Sequence, residues 1–169
     1  MKKFTPLIIF IAILNIIAFG THKIANQQNS LQISHFPQFS LPLLNDQKQF
    51  FSDKDLKQQY SLINFFASWC SSCKVEHSLL MKLKNQKNLK LYGIAWRDID
   101  IKTKEFLKSA GNPYEIVATD SSNKLGQKIN LQGTPESFLL NQEGKIIFHH
   151  RGPLTNFEVE KIKKLVRKN

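Results

Sequence analysis

The only two cysteines of this 169-residue chain stand three apart, and they follow an apolar run: Asn64-Phe65-Phe66-Ala67-Ser68-Trp69-Cys70-Ser71-Ser72-Cys73. An apolar strand, a tight turn and the first residue of a helix follow in that order. The arrangement suits thiol–disulfide exchange, because the unpaired N–H groups of a helix's first turn favour Cys70 as a thiolate. Cys73, one turn on, can attack any mixed disulfide that Cys70 forms. The competing uses of such a pair fit less well. A tetrahedral zinc site wants four ligands, and only His77 joins the two cysteines at helical spacing. A purely structural disulfide would close too short a loop to constrain the unfolded chain much.

Around this motif the sequence alternates strands and helices. Phe39–Leu44 and Gln49–Phe51 read as two short strands about a polar turn, and Ser52 or Asp53 caps a short helix through Gln58. Ser61–Ala67 reads as a central strand buried on both faces. The helix that starts at Cys70 runs to about Lys87, with Val75, Leu79, Leu80 and Leu83 at helical spacing. Leu89–Trp96 and Glu115–Ala118 read as strands, and Ile101–Ala110 and Asn123–Ile129 as helices. Gly111-Asn112-Pro113 stops the first of these helices. Ser137–Leu140 and Lys145–His150 flank a polar turn as a β-hairpin. Thr155 caps a last helix with Phe157, Ile162, Leu165 and Val166 on one side. Such βαβ units followed by an antiparallel edge predict an α/β domain, with helices on both faces of a central mixed sheet.

The N-terminus is of another kind. Met1-Lys2-Lys3 precedes an almost wholly apolar Phe4–Gly20, which as a helix spans about 25 Å. Residues 1–20 are expected to be a signal-anchor, since Ala18-Phe19-Gly20 makes an indifferent cleavage site; a cleaved signal peptide is the other reading. Lys2 and Lys3 would keep the terminus inside and place the rest beyond the membrane. Polar residues 21–35 read as a linker, and 36–169 as the folded domain. The net charge is +11, and +8 from His35 onward. Nucleic-acid binding is not expected, because no recognition motif accompanies the scattered lysines. A basic face near an anionic membrane surface explains them better.

With the CxxC at the first strand–helix junction, the chain resembles thioredoxin-fold proteins, and Thr134-Pro135 stands where these carry a cis-proline loop facing the cysteines. Several blocks narrow the resemblance. These are Asn64 with Ala67-Ser68-Trp69-Cys70, Glu76-His77, Gly111-Asn112-Pro113-Tyr114, Gly133-Thr134-Pro135-Glu136-Ser137-Phe138-Leu139 and Arg151-Gly152-Pro153-Leu154. Together they are similar to the CcmG/DsbE group, the membrane-anchored periplasmic thioredoxin-like proteins of cytochrome c maturation. The likeness covers roughly residues 37–168. Ser71-Ser72 and Ser78 depart from it, standing where the group commonly has prolines.

The resemblance implies a thiol–disulfide oxidoreductase without a cofactor, acting as a reductant at the periplasmic face of the inner membrane. Its redox-active disulfide would be Cys70–Cys73. Its substrate would be the Cys-x-x-Cys-His segment of apocytochrome c, or a CcmH-like thiol protein of haem ligation. Electrons would come from a DsbD/CcdA-type transmembrane thiol reductase. Asn64 occupies the position where ordinary thioredoxins bury an aspartate, and an amide cannot take up the Cys73 proton. Glu76 and Glu136 are therefore the candidate acids, with Trp69, Thr134 and Pro135 lining a substrate groove. Two alternatives stay open: a general periplasmic disulfide oxidoreductase, and a copper or haem chaperone using Cys70, Cys73 and His77.

Overall fold

The computed structural model describes residues 35–167. The proposed anchor, and all of the linker but His35, lie outside them. No helix among the described residues is long and apolar enough to cross a membrane.

A five-stranded sheet is assembled from β3 (Tyr60–Phe66), β4 (Leu89–Trp96), β5 (Ile116–Asp120), β6 (Glu136–Leu140) and β7 (Ile146–Arg151), in the order β5-β4-β3-β6-β7. β3, β4 and β5 are parallel; β6 runs antiparallel to β3, and β7 runs antiparallel to β6 in the expected hairpin. β3 is buried along its whole length, as its unbroken apolar run requires of a central strand. Four helices accompany the sheet: α1 (Ser71–Leu83), α2 (Asp100–Ala110), α3 (Lys124–Lys128) and α4 (Asn156–Arg167). Ahead of it, β1 (Ser40–Pro42) and β2 (Phe50–Ser52) pair as a two-stranded ribbon. Leu43 and Leu44 then bridge to Ala118 and Val117, covering the free edge of β5. The short helix expected after Ser52 is a single 3₁₀ turn, Asp53–Leu56, entered by an Asp55 carboxylate that accepts from the Ser52 N–H at 2.7 Å.

The two faces of the sheet are filled differently. On one, Leu62, Phe66, Leu91 and Leu139 meet Leu80 and Leu83 of α1, Leu107 of α2, and Val159, Ile162 and Val166 of α4. On the other, rings run in sequence from Tyr92 through Phe51, Phe39 and Phe36 to Phe138 and Phe65, each 4.9–6.0 Å from the next. Edge-to-face contacts of this kind add to what area burial supplies. The N-terminal segment thus adds an aromatic cover on this side, and Lys128 of α3 donates to the Gln38 carbonyl within it at 2.9 Å.

Two helical stripes differ from those expected. Val75 and Phe157 are exposed. α1 turns Cys73, Glu76, His77, Leu80 and Leu83 inward instead, because its inner face carries a polar site that hydrophobic periodicity cannot register. α4 buries Val159, Ile162 and Val166, and its first turn is held by Thr155, whose hydroxyl accepts from the Phe157 N–H at 3.2 Å.

Gly93 of β4 has a specific reason to be glycine. A Cβ there would lie 2.7 Å from the Tyr114 ring and 2.9 Å from the Phe66 ring, and these two rings stack with centroids 5.0 Å apart. Gly93→Ala should cost about 1–3 kcal/mol through overpacking, read as a lowered urea midpoint at unchanged m-value.

Candidate active site

Cys70 is the residue just before α1, and it is bonded to Cys73 with the two Cα atoms 5.3 Å apart. The Cys73 N–H points at the Cys70 sulfur at 3.1 Å, the interaction by which a helix start favours a thiolate once the bond is reduced. Both cysteines are buried, whereas Trp69 beside them is 57% exposed. The Trp69 indole N–H donates to the Arg97 carbonyl at 3.3 Å, and its ring lies 6.4 Å from that of Trp96. Thr134-Pro135 is cis, and the Thr134 carbonyl oxygen stands 3.4 Å from the Cys70 sulfur. Trp69 and Thr134 thus both lie next to Cys70, one in sequence and one across the fold.

The turn that leads into Cys70 is held by a residue that no sequence motif singles out. Asp98 follows β4, and its two carboxylate oxygens accept from the Ser68 N–H (2.6 Å), the Ser68 hydroxyl (2.8 Å), the Thr103 hydroxyl (2.8 Å) and the Ile99 N–H (2.9 Å). It thereby ties the turn before Cys70 to the start of α2. No local signal marks it, since its partners lie 30 residues upstream and one helical turn downstream.

Glu76 is fully buried. One carboxylate oxygen accepts from the Asn64 amide at 2.8 Å, the other from the Leu154 N–H at 2.7 Å. Asn64 also donates to the Ser137 hydroxyl at 3.0 Å and accepts from the Tyr114 hydroxyl at 2.7 Å, so every polar atom of its amide is engaged. Burial pushes the Glu76 carboxyl up to about 7, and the two hydrogen bonds oppose that rise only in part. Burial, and then the Glu76 charge, hold the Tyr114 phenol protonated far above its ordinary range. Glu76 shares the inward face of α1 with Cys73, one turn away.

Glu136 does not join it. Asn64 pairs with Ser137 across β3 and β6, and Phe65 pairs with Glu136. Side chains alternate along a strand, so Glu136 points to the face opposite Glu76 and Ser137. There the buried Glu136 carboxylate accepts from the His149 imidazole at 2.6 Å, Arg151 Nε at 3.3 Å and the Gln132 N–H at 3.2 Å. The register therefore separates the two candidate acids: Glu76 shares a face with Cys73, and Glu136 lies on the other side of the sheet. His77 is buried rather than surface-facing, with its Nε2 donating to the Gly111 carbonyl at 2.9 Å. Among the described residues no three His, Cys, Asp or Glu side chains cluster closely enough to hold a metal ion.

A group titrating near 7 in the fold and near 4.5 when exposed makes stability depend on pH. The folded state binds the extra proton within that window, so the stabilisation is complete below about 4.5 and is lost as pH rises through about 7. Glu76→Gln should abolish this slope, which amounts to something on the order of 3 kcal/mol in the wild type. Urea titrations at a series of pH values check it.

Comparison with known proteins agrees with this geometry. The Redoxin family model matches residues 32–166. The thiol:disulfide interchange protein DsbE of Allochromatium vinosum is 34% identical over 155 residues, covering 90% of this chain and 85% of the relative. The thiol:disulfide interchange protein HelX of Rhodobacter capsulatus is 38% identical over 112 residues, 66% of this chain and 63% of its own length. Among solved structures, a candidate thioredoxin from Neisseria meningitidis superposes with a TM-score of 0.70 at 27% identity, covering 80% of this chain and 92% of that one. A secreted disulfide oxidoreductase of Mycobacterium tuberculosis, at 16% identity and a TM-score of 0.66 over 76% of this chain and 96% of its own, shares the fold. The Cys70–Cys73 pair is the site of a thiol–disulfide oxidoreductase with a thioredoxin-like fold, and the chain belongs to the redoxin family and, within it, to the DsbE (CcmG) group.

Proposed function

We propose that this oxidoreductase works as a reductant in cytochrome c maturation, on the Cys-x-x-Cys-His cysteines of apocytochrome c or on a CcmH-like thiol protein that passes them on. The observation that carries the reading is the wiring of Tyr114. Gly111-Asn112-Pro113-Tyr114 is among the blocks most specific to the CcmG/DsbE resemblance, and the Tyr114 hydroxyl is bonded through Asn64 to Glu76. The block that distinguishes the group thus helps build the acid of the site.

In the proposed cycle the reduced Cys70 thiolate attacks one sulfur of the substrate disulfide. The other substrate sulfur leaves as a thiolate and takes a proton from solvent. Cys73 then gives its proton to Glu76, attacks the Cys70 sulfur and expels the second substrate sulfur as a thiolate, to which Glu76 returns that proton. Two electrons pass to the substrate, with one proton from Cys73 and one from solvent, and Cys70–Cys73 is left as the disulfide. A carboxyl poised near 7 suits both acceptance and return of a proton at neutral pH. A DsbD/CcdA-type transmembrane thiol reductase would restore the dithiol. The N-terminal 1–20 would hold the domain at the periplasmic face of the inner membrane, and the exposed Trp69 with Thr134 would flank the bound substrate.

Two experiments test the proposal. In Glu76→Gln, release of a peptide from the Cys70 mixed disulfide should slow by about 100-fold at pH 7, while attack by Cys70 stays within a few-fold, as rapid-quench measurements would resolve. A full-length Cys73→Ser variant expressed in the native host should trap apocytochrome c or a haem-ligation thiol protein on Cys70. A broad spread of envelope proteins in that adduct would assign the chain to general disulfide traffic instead.

A further inference from the structure

Glu136 is a buried carboxylate with a job of its own, visible once it is removed from the acids of the site. Its Oε2 accepts from the Gln132 N–H, at the start of the loop that leads through Thr134 and Pro135. The far end of the same loop is fixed by the Gly152 N–H, which donates to the Pro135 carbonyl at 2.9 Å. Between these two ties sits Thr134, whose carbonyl faces the Cys70 sulfur.

What holds Glu136 in turn is β7. His149 is the cross-strand partner of Phe138, and its imidazole lies flat on that ring, with centroids 4.3 Å apart and planes within 9°. Stacking sets the ring's position. From there Nε2 meets Glu136 Oε1 at 2.6 Å, the shortest contact the carboxylate makes. A carboxylate only accepts, so Nε2 carries the hydrogen. Arg151 reaches the same oxygen at 3.3 Å, but its side chain is half exposed and has no comparable brace. Phe138 is packed on its other contacts by Phe36 and Phe65, so the stack rests on the aromatic layer of that face.

We propose that His149 is a positioning residue for disulfide exchange: it fixes the Glu136 carboxylate, which fixes the backbone presenting Thr134 beside Cys70. The proposal rests on the thiol–disulfide activity of the chain and not on which protein is its substrate. An extended substrate disulfide must pair with that backbone edge to reach Cys70, so a loosened loop weakens its binding. A small aromatic disulfide that touches only the sulfurs does not need the edge. The two kinds of substrate therefore separate loop positioning from thiol chemistry.

The test uses the full-length protein, with dithiothreitol as electron source for the peptide and with pre-reduced protein freed of dithiothreitol for the small aromatic disulfide. His149→Phe keeps a flat ring over Phe138 and removes the donor; His149→Arg keeps both a planar stacking group and N–H donors. For a synthetic peptide carrying an intramolecular disulfide, His149→Phe should raise KM about tenfold with kcat unchanged. Its rate with dithiobisnitrobenzoate should stay within about twofold of wild type, and His149→Arg should bring the peptide KM back to within about threefold. His149→Ala, measured alongside, serves the same purpose should the phenylalanine variant fail to fold. An unchanged peptide KM, a parallel fall with both disulfides, or an arginine variant as impaired as the phenylalanine one would each overturn the proposal.

Discussion

One buried hydrogen-bond network joins the separate elements of this fold at the point where its chemistry occurs. Glu76 brings in α1, Asn64 the central strand, Ser137 the hairpin, Tyr114 the segment before β5, and Leu154 the approach to α4. An ionised carboxylate in such a place is costly, and two charge-assisted hydrogen bonds offset only part of the cost. The remainder appears as a carboxyl that titrates near neutrality. The network is closely fitted, because both amide hydrogens of Asn64 are committed and the Tyr114 ring packs over a glycine. Structure and reactivity therefore share one set of contacts.

The two faces of the central sheet divide the work. One holds the sulfurs, Glu76 and helices α1, α2 and α4; the other holds the aromatic layer, Glu136 and its basic partners. The division follows from the two-residue repeat of a strand and is visible at Glu136 and Ser137, adjacent residues sent to opposite sides. Each acid is buried, yet they meet different needs. Glu76 has amide donors only and keeps an affinity for protons. Glu136 has an imidazole and a guanidinium against it and holds the loop that leads to Pro135.

Much of this was legible in the chain. The cysteine pair, the central strand, the hairpin and the proline loop all carry local signals, and the Thr134 carbonyl stands beside the Cys70 sulfur. Glu76 was found by asking what could replace an acid at Asn64, a chemical argument rather than a pattern. What stayed hidden depends on long-range register. Asp98 and His149 act across 30 and 13 residues, with no periodicity to announce them. The stripes of α1 and α4 were misread at Val75 and Phe157, because apolar spacing says nothing of a helix whose inner face is partly polar or whose first turn overhangs the core. The aromatic cover from Phe36 to Phe51 was invisible too, since isolated phenylalanines in short segments give no repeat.

Ser68 shows where such an architecture is least forgiving. Its backbone and its hydroxyl are both committed to Asp98, so the turn into Cys70 is held from β4's far end and not by the helix that follows it. Ser71 and Ser72, exposed in the first turn of α1, take no part in those ties. A substitution there changes the surroundings of the sulfurs while the turn that presents Cys70 keeps its anchor.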